Sequence, residues 1–277
     1  MEDTLFDRFR CPEEYRIHLD AAKAQAALGW DRDGAALEAR LTPVAEELGI
    51  PVHALFAMMV LCRAPELKQT YSKYPNADVL YRGFEADVAG KLQERRNRIG
   101  EWGFGPGLAS WYWRFFNEII FGLGRLQFET YPWDLADLPP YVKKGDMILK
   151  LHIPTGGHLT PEAAMDSLRQ AYRFYGCTGL MLVQLKSWLI YPPHAALFPE
   201  GSNLQKFAGM FHVMEQHTRG TRNLWRIFGI SFRGFDGDWS KVPRDTRLRR
   251  AFADWLQAGN EMGTGFGYLL FDGEKVL

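Results

Sequence analysis

The chain has 277 residues, and its 33 Lys+Arg balance 33 Asp+Glu, so a formal net charge of zero singles out no nucleic acid or other polyanion as partner. At 47% hydrophobic and 14% aromatic residues it can bury a sizeable core. Cys11, Cys62 and Cys177 stand apart without CxxC or Cys/His spacing, which predicts reduced thiols in a cytoplasmic protein and no metal centre.

Residues 1–100 read as helical. The acidic start MEDTLFDRF lacks the apolar segment of a signal peptide. Pro12-Glu13-Glu14 opens a helix that reaches Leu28 and stops at Gly29. A second helix spans residues 34–48 and ends at Gly49. Pro51 opens a third, PVHALFAMMVLCR, apolar on nearly every side, as in a helix buried inside a bundle. Its apolar run, residues 54–62, falls far short of the roughly 20 residues that span a bilayer, so no membrane partner is expected. His53 on this helix reads as a packed core residue. Ala64-Pro65 predicts a break and a new helix, and residues 76–98 form a long helix ending in ERRNR, cations suited to a helix C-terminus. The glycine cluster at residues 100–107 contains GFGPGL, which is not GxGxxG, and reads as an interdomain loop. Leu108, Trp111, Tyr112, Phe115, Ile119 and Ile120 then make one apolar helical stripe, with Arg114 and Glu118 paired on the other side.

From Gly124 the period changes from helical to alternating. Leu126, Phe128 and Thr130 alternate with Arg125, Gln127 and Glu129, giving a strand with one apolar and one polar face. After a loop, Met147, Leu149, Leu151 and Ile153 alternate with Ile148, Lys150 and His152. Pro154 ends that strand, Gly156-Gly157 turns the chain, and Thr160-Pro161 supplies an N-cap and first residue for a helix carrying Ala164, Leu168, Ala171 and Tyr175. GLMLVQL, residues 179–185, is a continuous apolar run and predicts a central strand ending near Ser187 and Trp188. Ser202 caps a short helix with Gln205, residues 211–218 form another strand, and Asp245 caps the last helix. Gly263, Gly265 and Gly267 lead into a final strand, YLLFD. The fold class is therefore α+β, a helical domain at residues 1–121 and a mixed β-sheet domain flanked by helices at 122–277.

Two features bear on chemistry. A strand that passes through a glycine turn into a helix N-terminus is a ready anion site, because unpaired N–H groups point outward there. If the two alternating strands pair antiparallel, Arg125, Gln127 and Glu129 share a face with Lys150 and His152, collecting an acid, a base and cations. Hydrolysis by Glu129 with Asp146 or Glu215 is a third use of such carboxylates. Ser187, at a strand's carboxyl end, has no GxSxG around it and does not read as a nucleophile.

GRLQFE (residues 124–129), LKLHIPTGGHLTPE (149–162), Asp166-Ser167, LKSWLIYP (185–192) and EGSNLQKF (200–207) occur in this order. Together they resemble the GNAT-like acyltransferase-domain proteins, which join an N-terminal helical domain to a GNAT-like C-terminal domain. The resemblance implies an N-acyltransferase that moves an acyl group from acetyl-CoA or another acyl-CoA to a small-molecule amine by direct attack. On that analogy Thr155, Gly156, Gly157, His158 and Leu159 cradle the CoA pyrophosphate. Glu129 or His152 acts as base and Ser187 protonates the leaving thiolate, with Arg125, Gln127, Lys150, Trp188 and Asn203 lining the substrate site. PTGGH replaces the usual Gln or Arg with spaced glycines, and Glu162 adds negative charge at the helix start. The alternative is a non-catalytic small-ligand-binding or interaction protein on the same fold.

Overall fold

A computed structural model describes residues 2–220, 224–229 and 237–277. The chain divides into two compact units, Met1–Gly122 with Pro154–Gly156, and Leu123–Ile153 with Gly157–Leu277.

The first unit is helical: α1 (Glu2–Arg8), α2 (Glu13–Arg16), α3 (Leu19–Ala27), α4 (Gly34–Leu48), α5 (Val52–Tyr71), α6 (Ala77–Ile99) and α7 (Ala109–Phe116). The single helix expected over residues 12–28 is two pieces, and Ile17 between them is 75% exposed, so no core contact holds a continuous helix there. The expected break at Ala64-Pro65 does not occur. α5 runs straight through Pro65. A mid-helix proline costs about 3 kcal/mol. Leu61, Leu67 and Tyr71 are buried on either side of it, and each such side chain returns roughly 1.5–3 kcal/mol.

The glycine cluster is not an interdomain loop, because it packs inside this unit. Trp102 and Phe104 are buried, the Trp102 indole donates to the Phe9 carbonyl, and Phe104 stacks on Tyr112 at 4.7 Å. His53 sits at a polar spot in the first turn of α5, with Nδ1 2.8 Å from Arg95 and Nε2 3.2 Å from Glu101. Burial, then the Arg95 charge, holds its pKa below the ordinary histidine value. α7 stops at Phe116, earlier than the apolar stripe suggests. Glu118, in a left-handed conformation (φ 57°), pairs with Lys73 and Tyr74 rather than with Arg114, which donates to Ser110.

The second unit is built on a mixed sheet. Its strands are β2 (Leu126–Pro132), β3 (Met147–His152), β4 (Met181–Ser187), β5 (His212–Gly220) and β6 (Met262–Phe271); with β1 (Ile120–Leu123), of which only Leu123 belongs to this unit, the strand order is β1-β2-β3-β4-β6-β5. β3 and β4 are parallel, while β2–β3, β4–β6 and β5–β6 are antiparallel. The connection from β3 to β4 is α8 (Pro161–Phe174), as a parallel crossover requires. The helices that follow among the described residues are α9 (Pro192–Ala195), α10 (Asn203–Ala208), α11 (Leu224–Phe228) and α12 (Arg247–Gln257). Thr246, not Asp245, caps α12, and Asp245 pairs with Arg249 instead.

The two sheet faces differ. Phe128, Leu151, Val183, Leu185, Leu269 and Phe271 share one face by register. α8 lies there, with Tyr175 donating to the Phe128 carbonyl and Tyr172 edge-on to Phe271. The other face carries Gln127, Glu129, Lys150, His152 and Gln184, then turns apolar where Leu182, Phe266 and Leu270 pack under Trp133, Leu135 and Val142 of the β2–β3 loop. Gly263, Gly265 and Gly267 do not precede β6 but lie within it. A Cβ at Gly263 would sit 2.3 Å from the Tyr191 ring, and one at Gly265 would sit 2.3 Å from the Ile190 carbonyl. Strand and loop backbones approach too closely here for any side chain.

Gly263→Ala should therefore overpack this contact and destabilise the protein by about 1–3 kcal/mol, read from the urea midpoint. An unchanged midpoint would mean that the Tyr191 ring yields freely.

Candidate active site

β2 and β3 pair with Gln127 opposite His152 and Glu129 opposite Lys150. This antiparallel register puts the polar residues of both strands on one face. Glu129 is only 4% exposed, and His152 Nε2–H donates to its Oε2 at 2.6 Å. When Glu129 is ionised its carboxylate only accepts, which puts the proton of this bond on Nε2 and leaves a neutral ring its lone pair on Nδ1. Carboxylate and imidazole in this arrangement form an oriented acid–base pair.

A second polar group adjoins it. Lys150 Nζ stands 3.3 Å from the centroid of the Tyr131 ring, a cation–π contact. Tyr131 donates to Asp134 Oδ2 at 3.0 Å, and buried Gln184 donates to Asp134 Oδ1 at 2.6 Å. Burial raises the Asp134 pKa, but these two hydrogen bonds and the Lys150 charge outweigh it, so the net shift is downward. Tyr131, Asp134 and Gln184 were not among the expected site residues. Gln184 was visible as the one polar residue in GLMLVQL.

Backbone pairing between β3 and β4 runs from Leu149–Val183 to Leu151–Leu185, while β3 continues to His152 and β4 to Ser187. The parallel strands therefore part company beside His152. Ser187 does not join the Glu129–His152 pair. Strand alternation places it on the Leu185 face, and its hydroxyl accepts the Leu189 N–H. Trp188 is part of an aromatic cluster with His194, Phe198 and Phe252. Asn203 is exposed at the start of α10, where Ser202 caps and Gln205 accepts from Gly201 rather than from the cap residue itself. Glu129, Asp146 and Glu215 do not assemble. Asp146 caps a turn at Lys143, about 13 Å along the strand from the level of Glu129, and β5 is four strands, about 19 Å, from β2.

The five residues of the expected phosphate loop are divided between the units. Thr155 hydrogen-bonds the Glu94 carboxylate within the first. In the second, Gly157 (φ 62°) accepts from Arg125, His158 is exposed and Leu159 is buried. The α8 N-terminus is largely self-served. Pro161 has no N–H, Glu162 engages its own N–H, and Thr160 accepts from Ala163 at 3.2 Å. The Glu162 bonds, first to its backbone and then to Thr160, lower its carboxyl pKa.

A family model for the GNAT-like C-terminal domain matches residues 120–269, more than half of the chain. The chain belongs to this family. Four chains of solved structures match and share the fold. One is an acyltransferase in complex with decanoyl-CoA and teicoplanin, 20% identical at a TM-score of 0.67, the match covering 96% of this chain and 86% of that one. Another is an acyltransferase in complex with CoA and 10C-teicoplanin, 18% identical at 0.64, with 96% and 98% covered. A third, an acyltransferase in complex with decanoyl-CoA, is 23% identical at 0.63, with 80% and 67% covered. No curated protein matches the chain. The strand order of this GNAT-like domain, with β6 inserted between β4 and β5, places the parallel β3–β4 pair near the centre of the sheet.

Among the described residues of the domain, His194 is strongly perturbed. His194 is fully buried, donates from Nδ1 to the Trp188 carbonyl at 2.8 Å and accepts the Gly263 N–H on Nε2 at 3.3 Å. Burial holds its pKa at about 4, against an ordinary 6.5. Between those values the unfolded chain binds the proton and the native one does not. Its contribution is thus complete above pH 6.5 and declines as pH falls towards 4, by about 3 kcal/mol in all. His194→Gln should flatten the pH dependence of unfolding across this window, and equal slopes for both proteins would contradict the assignment.

Proposed function

We propose that the protein is an acyl-CoA-dependent N-acyltransferase of the cytoplasm that moves an acyl group to a small-molecule amine by direct attack. The observation that carries this reading is the Glu129–His152 pair, 2.6 Å apart, beside the point where β3 and β4 stop pairing. The solved relatives that hold decanoyl-CoA support the choice of acyl donor.

In this scheme the thioester lies at the parted strand ends. The amine nitrogen attacks the carbonyl carbon, the N–C bond forms and the C–S bond breaks. His152 takes the amine proton at Nδ1, and Glu129 orients the ring and stabilises the imidazolium. The same proton then reaches the departing thiolate, so amine and thioester become amide and thiol. Ser187 has no part in this scheme. Lys150 and Gln127 line the acceptor side, and Lys150, held over Tyr131, disfavours a second cation, which keeps the amine neutral for attack.

A second reading, a non-catalytic ligand-binding protein, draws on the self-capped α8, whose N-terminal donors are already engaged. The two readings separate by binding and by kinetics. Decanoyl-CoA at 100 times its Kd should stabilise the protein by about 2.7 kcal/mol. His152→Ala should keep that stabilisation yet release thiol roughly 100- to 10,000-fold more slowly, with little change in KM for the acyl donor. Undiminished turnover in both His152→Ala and Glu129→Gln would remove the proposed base.

A further inference from the structure

The second unit contains a cation without a matching anion. Arg125 follows Gly124 in the β1–β2 turn. Gly124 has φ 70°, and a Cβ there would lie 2.8 Å from Ser167 Oγ. That hydroxyl, fully buried on α8, accepts the N–H groups of Arg125 (2.8 Å) and Leu126 (3.3 Å) and donates to the Ala163 carbonyl. The turn is thereby fastened to the first half of α8, and the Arg125 side chain is carried to the loop that enters this helix. There its guanidinium makes one long contact, Nη2 to the Gly157 carbonyl at 3.4 Å. Its Nε is buried with no hydrogen-bond partner. Among the described residues no carboxylate pairs with it, and burial alone lowers its pKa.

A half-buried guanidinium whose buried N–H has no acceptor is costly for a protein to keep unless something else supplies one. The neighbouring elements narrow what that is. Gly157 offers little bulk, since a Cβ there would stand 3.6 Å from Arg125 Nε. The positive end of the α8 dipole adds to the same field. The helix's own N-terminal donors, meanwhile, are occupied by Thr160 and Glu162. A negatively charged, multi-acceptor group at this spot would find its donors in the guanidinium fork rather than in the helix end.

Building on the acyl-CoA reading, we infer that Arg125 is a phosphate-binding residue of this protein, clamping a phosphate of the acyl-CoA nucleotide beside Gly157. The role falls to an arginine on the β1–β2 turn because the loop into α8, PTGGH, brings no Gln or Arg of its own.

The test is calorimetric titration of wild-type protein and Arg125→Gln with decanoyl-CoA, its 3′-dephospho form and S-decanoyl-pantetheine, which has no phosphate. Arg125→Gln should weaken decanoyl-CoA roughly 10- to 100-fold and leave decanoyl-pantetheine unchanged, with Arg125→Lys between the two. Loss of the effect with the dephospho form would identify the 3′-phosphate as the group held, and its persistence would identify the pyrophosphate. The melting temperature of the unliganded Arg125→Gln protein should stay the same or rise, because a half-buried, unpaired cation is removed. Equal weakening of both thioesters, no weakening of either, or a lowered melting temperature would overturn the assignment. If the wild-type protein binds no decanoyl-CoA at all, the acyl-CoA reading itself fails, and that result is distinct from a failure of Arg125.

Discussion

The antiparallel register of β2 on β3 is the constraint from which the site follows. Side chains alternate along a strand, so a slip of β2 by one residue would turn Glu129 away from His152 and bring Phe128 to the polar face. The register is held from both ends. Ser167 fastens the turn that opens β2, and at the far end Trp133 exchanges backbone hydrogen bonds with Gly145 and Asp146 across the loop. Each anchor also orders something else: Ser167 aligns α8 with the sheet, and buried Trp133 starts the apolar cluster that covers the distal half of the same face.

That face is chemically divided. Its apolar half is ordinary core. Its polar half buries Gln127, Glu129 and Gln184, groups whose desolvation is tolerable only when each has a partner. Glu129 has His152, and Gln184 has Asp134. A sheet needing only stability would fill these positions with Val or Leu. Retaining a buried carboxylate on an imidazole, beside the place where two parallel strands stop pairing, is the arrangement expected of a reacting site.

Much of this was legible in the sequence, because the responsible signals are local. Alternation of period two identified β2 and β3 and, once antiparallel pairing was assumed, brought Glu129 and His152 together. Thr160-Pro161 located the start of α8. What escaped depended on tertiary context. Pro65 predicts a break, but the apolar burial around it carries α5 through. The glycines of residues 100–107 look like a connector until Trp102 and Phe104 are seen packed into the helical unit. The glycines at 263, 265 and 267 look like a turn, yet they are strand residues thinned to admit Tyr191 and Ile190. Ser187 was chosen for its position at a strand end, where its side-chain direction and its capping bond to Leu189 could not be read. Asp134 entered the polar network from a loop whose course no periodicity reveals.

The central claim is that the Glu129–His152 pair carries acyl transfer to an amine. Mass spectrometry of reactions containing decanoyl-CoA and a panel of small amines addresses it most directly, with free thiol measured in the same samples. The account predicts, for at least one amine, an amide heavier than the acceptor by one decanoyl group less a hydrogen. It should form in a one-to-one ratio with thiol and disappear when His152 is replaced by Ala. Saturable binding of decanoyl-CoA with neither amide nor thiol released for any amine would contradict it and leave a binding protein in its place.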